Sequence, residues 1–122
     1  MAKIDDDIAS LLNQFQPPLA AIAGDVIATV RRVRPDLVPK VQFGWRSVNF
    51  NHPRAKYVCG VFPEARQRDV LLGFPRGREL DSPLLQDNGK VKRFRWIRFV
   101  PGDAIPEDDV AILIAEAIAL AS

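Results

Sequence analysis

Seven residues around one long loop carry the most chemistry in this chain. Arg76, Gly77 and Arg78 open the loop, and Lys90, Lys92, Arg93 and Arg95 close it. A guanidinium fork matches the oxygens of phosphate and carboxylate, so the two groups would form an anion site if they converged at one end of a sheet. Gly77 would let an oxyanion approach backbone N–H groups. A second candidate is Gly44-Trp45-Arg46, where a ring could act as a stacking platform with a cation beside it. Each has a plainer reading: solvated loop charge for the basic residues, a core or rim aromatic for Trp45. The loop holds neither the Gly-x-x-x-x-Gly-Lys-Ser/Thr phosphate cradle nor a dinucleotide fingerprint.

Other reactive groups are sparse. His52 is the only histidine and Cys59 the only cysteine, and two ligands do not make a structural zinc site. A catalytic Cys–His pair needs an exposed thiol, whereas Cys59 sits in the apolar run Tyr57 to Phe62 and reads as a small hydrophobe. Asn51-His52-Pro53 reads as a turn. Glu79, Asp81, Asp87 and Asp103 could hold a hard cation, but the surrounding arginines favour salt bridges. Asp5 to Asp7 and Glu107 to Asp109 are explained as helix-start charges. No nucleophile–base set and no metal triad emerges, so the reading is a non-enzymatic binding module without a cofactor.

Charge is distributed unevenly. Residues 31–98 hold 16 Lys/Arg against 6 Asp/Glu, while both ends are acidic and the whole carries +2. The basic stretch also holds both tryptophans, which points to an anionic partner, a small molecule or a protein. Nucleic acid is another such anion, but the modest overall charge argues against it and no motif favours it. A single cysteine excludes an intrachain disulfide and suits a reducing cytoplasm. The N-terminus lacks the apolar core of a signal peptide. Val110 to Ala121 is too short and too periodic to span a bilayer, so no membrane partner is expected. Nothing in the pattern sets an oligomeric state.

These residues need elements to position them. Leu19, Ile22, Ala23, Val26, Ile27, Val30 and Val33 recur at helical spacing and predict a helix over 18–34, started by Pro17 and Pro18. Ile8, Leu11, Leu12 and Phe15 predict a shorter helix ahead of it. Val110, Leu113, Ile114, Ala117, Ile118 and Ala121 predict a helix over 106–120. Between them, strands are expected at 41–43 and 45–50, with Gly44 at a bend, and at 56–62, 69–74 and 94–100. The runs 56–62 and 69–74 are apolar on both faces and should be central. Asn49 to Pro53 reads as a turn and Pro63 to Arg68 as a hairpin loop. A bulge near Trp96 would reconcile the two halves of the last strand. Leu84 and Leu85 could form one helical turn, and Asn88-Gly89 a tight turn. The expectation is one α+β domain over 1–122. Its antiparallel sheet of about five strands would pack against N- and C-terminal helices in two layers.

Several of these residues fall in a familiar order. Gly44-Trp45, Val48 and Phe50, Val58 to Phe62, Leu71-Leu72-Gly73-Phe74, and Gly77 with Leu80 resemble the YdhG-like family. So do the basic loop at Gly89 and Lys90, the strand from Arg93 to Phe99 and the helix after Pro106. The likeness covers residues 15–120. These are small, largely uncharacterised bacterial proteins of the cytoplasm. The resemblance implies a compact α+β fold and no established enzyme activity. Some relatives are likened to frataxin-type iron chaperones, which makes intracellular iron binding the alternative function. Frataxin-type binding uses an acidic helix and sheet edge, whereas the sheet region here is basic.

Overall fold

Helical periodicity at both ends and alternation between them produce the expected order. A computed structural model describes residues 3–121. Met1, Ala2 and Ser122 lie outside the described residues, and with them the first part of the N-terminal segment read as no signal peptide. Helix α1 spans Lys3–Leu12, with Asp5 and Asp6 in its first turn. Helix α2 spans Pro17–Val33. Its two prolines occupy positions whose N–H groups would lack an intrahelical partner in any case, and Arg31 and Arg32 complement the negative end of its dipole. Helix α3 spans Glu107–Ala121, with three acids in its first turn. Among the described residues, no helix is long and apolar enough to cross a membrane.

Five strands lie between: β1 (Val38–Gln42), β2 (Ser47–His52), β3 (Lys56–Glu64), β4 (Asp69–Phe74) and β5 (Arg95–Phe99). They form one antiparallel meander in sequence order. The β1–β2 and β3–β4 turns therefore fall at one end of the sheet. The β2–β3 turn and the long loop 75–94 fall at the other. The helices pack on one face. Leu19, Ile22, Val26 and Val30 of α2 and Val110, Leu113 and Ile114 of α3 meet Val48, Phe50, Cys59, Val61, Leu72, Phe74 and Ile97 in a single core. Burying such side chains contributes roughly 1.5–3 kcal/mol each, which makes this layer the main source of stability.

The structure corrects several boundaries. Gly44 is not a bend within a strand but part of a four-residue turn, 43–46, that joins β1 to β2. Asn49 to His52 is strand, not turn. The turn begins one step later because His52 Nδ1 accepts the N–H groups of Arg54 and Ala55, at 3.1 and 3.3 Å, and closes it. The bulge expected near Trp96 is absent, since β4 and β5 keep one register throughout. Arg95 can share a face with Ile97 and Phe99 because its guanidinium turns back onto loop carbonyls. A register shift lies instead between Phe50 and Asn51, against β3. The hairpin loop shortens to 65–68, because Pro63 and Glu64 still pair with β4. The helical turn in the long loop forms at Gly77–Glu79, as one turn of 3-10 helix, and not at Leu84 and Leu85.

Candidate functional site

The long loop does converge. Arg76, Arg78, Glu79 and Arg93 line one recess of about 310 Å³. The cations in it do different work. Arg76 grips Glu79 through Nε and Nη2, at 2.6 and 2.9 Å, and donates Nη1 to the Leu120 carbonyl at 3.0 Å. It thereby ties the 3-10 turn to the last turn of α3, whose carbonyls favour a cation. The hydrogen bond from Arg76 holds the Glu79 carboxyl below the usual carboxylate range, and the charge of Arg93 adds to that pull. Arg78 donates its backbone N–H to the Arg93 carbonyl at 2.9 Å, which places the two residues side by side. Neither of their guanidinium groups forms an ion pair among the described residues.

Gly77 and Arg95 build the loop. A Cβ on Gly77 would stand 2.4 Å from Arg95 Cβ and 2.9 Å from its backbone N, so the space on this glycine's side-chain side is filled by β5. Arg95 is largely buried. It pairs with Asp87 at 3.2 Å and donates to the carbonyls of Val91 and Phe94 at 3.2 and 2.8 Å. Lys90 is exposed beyond the Asn88-Gly89 turn, where its N–H bonds Asn88 Oδ1 and Gly89 takes φ +76. Trp45 and Arg46 stand apart, in the β1–β2 turn at the opposite end of the sheet. Trp45 is 82% exposed. The Arg46 guanidinium lies 5.5 Å from the centre of the Phe15 ring and pins the α1–α2 link to the turn.

Most of the remaining candidates have local partners. His52 closes its turn and lies 3.6 Å from Asp36. Cys59 is fully buried, and burial pushes its thiol up to about 12, so it remains protonated. Asp103 accepts the N–H of Val100. Among the described residues no three His, Cys, Asp or Glu side chains gather as a metal-ligand set.

Residue-by-residue reasoning missed the sheet's second face. Among the described residues, no helix covers it. One cross-strand line runs over all five strands: Lys40, Asn49, Gly60, Gly73 and Trp96. Its two glycines leave room for rings. A Cβ on Gly73 would meet Phe94 at 2.1 Å, and one on Gly60 would meet the Tyr57 hydroxyl at 2.6 Å and the Phe62 ring at 2.9 Å. Phe62 meets Phe94 edge-on at 5.9 Å, and Phe94 lies 5.8 Å from Trp96. The result is a row of partly exposed rings that starts beside Arg93. Burial, then electrostatic coupling to nearby Cys59, pushes Tyr57 up to about 12, so its hydroxyl stays protonated. The same face holds two shielded acceptors without a partner among the described residues, Asn49 Oδ1 and Asp69 Oδ1. The second oxygen of Asp69 holds Arg98 at 2.6 Å. A signal for this face existed: two strands apolar on both sides, in a two-layer fold, leave one apolar side uncovered.

No family model, curated protein or solved structure matches the chain. The likeness to the YdhG-like proteins therefore rests on residue order alone.

Proposed function

We propose that this protein is a non-enzymatic binding module for an anionic ligand or partner, working in the cytoplasm, and that Arg78 and Arg93 receive the ligand's charge. One observation carries the reading. Glu79, the acid that lines their recess, is already gripped by Arg76, and among the described residues neither Arg78 nor Arg93 is in an ion pair. Forks in that state suit phosphate and carboxylate oxygens. The buried lone thiol supports a reducing compartment. The iron alternative draws on the acidic ends, where Asp5 is paired with Arg31 at 2.7 Å and Glu107 with Arg32 at 3.0 Å.

Calorimetry with inorganic triphosphate tests the proposal. Affinity should fall as salt rises, because fixed cations are screened. Changing Arg78 and Arg93 together to Ala should weaken binding by about tenfold or more. Thermal stability should hardly change, since exposed charges contribute little to folding. Absence of binding at low salt would overturn the reading, and so would tight binding of ferrous ion alone, which would favour the iron alternative.

A further inference from the structure

One residue beyond the basic recess, the chain enters a surface that a simple phosphate would not use. The ring row begins at Phe94, the residue after Arg93, and crosses β5, β4 and β3 on the helix-free face. From the aromatic row, its glycine floor and its rim of cations we infer that this face binds single-stranded nucleic acid. Bases would lie against the rings, and phosphates would track the rim.

Four observations converge on that class. First, the line from Lys40 to Trp96 spans five strands, about 19 Å at ordinary strand spacing, which is room for a few nucleotides. Second, Gly60 and Gly73 are cross-strand partners, and only glycine there lets rings settle onto the sheet. Base-on-aromatic stacking is sequence-tolerant, because every base has a π face. Third, the face keeps Asn49 Oδ1 shielded and without a donor. Once the side chains over it move aside, a nucleobase offers ring N–H and amino donors to such an acceptor, whereas a backbone phosphodiester offers none. Fourth, exposed cations stand at both ends of the row: Lys40 on β1, and Arg93 next to Phe94. A flat sheet cannot reach bases stacked inside a duplex, so the strand must be single.

The same charges argue against a second copy of this chain on the face. Two-fold pairing would set one positive rim against another, and the acids on the face are few: Asp69 is already held by Arg98, which leaves Glu64 beside it. The inference rests on the anion reading above, and the experiment keeps the two apart.

The two tryptophans make the test direct. Trp45 is exposed at the far end of the sheet, so Trp45→Phe leaves Trp96 as the only indole without disturbing the core. That variant is titrated with an oligodeoxythymidylate of about ten nucleotides, an abasic strand of equal length, the corresponding duplex, and inorganic polyphosphate. The oligonucleotide should quench Trp96 and bind about tenfold or more tighter than the abasic strand. Polyphosphate should bind without quenching. Trp96→Leu should lose that preference for bases, and Trp96→Phe should restore it, with melting temperature confirming that each variant folds. Equal binding of the oligonucleotide, abasic strand and polyphosphate, with Trp96 unmoved, would overturn this inference and leave the anion reading standing. So would a Trp96 signal that depends only on protein concentration, the mark of a second copy. No binding of any probe at low salt would overturn both.

Discussion

The two faces of the sheet are made by alternate residues of the same strands, yet they obey different rules. On the covered face Val48, Val61, Leu72 and Ile97 stand in one cross-strand line and are almost wholly buried. One step along each strand, the line reads Asn49, Gly60, Gly73 and Trp96. The first line is what a core requires: branched or apolar side chains packed against helices. The second keeps two positions empty, borrows rings from neighbouring positions to fill them, and leaves an acceptor without a donor. A fold needs only the first line. The second costs something, since glycine weakens a strand and a shielded unpaired oxygen is unfavourable. Side chains arranged at such a cost argue for use.

That contrast can be attacked from its strongest side first. Leu113→Ala removes a nearly fully buried side chain from the covered face and should cost about 2–5 kcal/mol, read from urea denaturation. Loss of less than about 1 kcal/mol would mean that the α3 layer is not the packed one. Glycines provide the next comparison. Gly77→Ala pushes a methyl into the backbone of β5, which cannot give way, and should cost about 1–3 kcal/mol. Gly73→Ala meets only the tip of the Phe94 ring, which can swing aside. It should cost less than Gly77→Ala while shifting the near-ultraviolet aromatic signal. The reverse order would show that the Phe94 ring is rigidly held and that the loop is soft.

Titration separates the faces more gently. Cys59 on the covered side and Tyr57 on the open side are both raised to about 12, from ordinary values of 9.0 and 10.0. A folded-state pKa above the unfolded one means that the unfolded chain loses its proton first. The stabilisation is therefore complete below pH 9 and is lost as pH climbs toward 12. The slope should be of the order of 1 kcal/mol per pH unit for fully buried Cys59, and smaller for the more exposed Tyr57. Cys59→Ala should flatten the part of the decline that starts near pH 9, and native Cys59 should react slowly with a thiol reagent until the protein is denatured. Rapid labelling of the folded protein would show that the covered face opens.

Legibility in the sequence followed the same division. The helices were readable because apolar residues at helical spacing, prolines at the start and charges suited to the dipole all agreed over 18–34 and 106–120. Strands 56–62 and 69–74 were readable as central because both of their faces are apolar. Errors arose where a local cue met a tertiary one. Asn49 to His52 has turn-like residues, but pairing with Cys59 and Tyr57 holds Phe50 and Asn51 in the sheet. Arg95 broke the expected alternation and suggested a bulge; its guanidinium instead finds Asp87 and two carbonyls that no local pattern reveals. The arginine groups around the long loop could be found from composition. Which of them remain unpaired could not, because the partner of Arg76 at the end of α3 is distant in sequence. The ring row was hidden because Tyr57, Phe62, Phe94 and Trp96 come together only through cross-strand register.

The central claim is that the helix-free face, with the recess beside it, is the binding surface. Amide chemical-shift mapping during titration with an oligodeoxythymidylate, and separately with inorganic triphosphate, tests it most directly. The account predicts that triphosphate shifts Arg78 and Arg93, and that the oligonucleotide adds Asn49, Gly60, Gly73, Phe94 and Trp96. Shifts centred on Trp45 and Arg46, on the acidic starts of α1 and α3, or nowhere in the protein would contradict it.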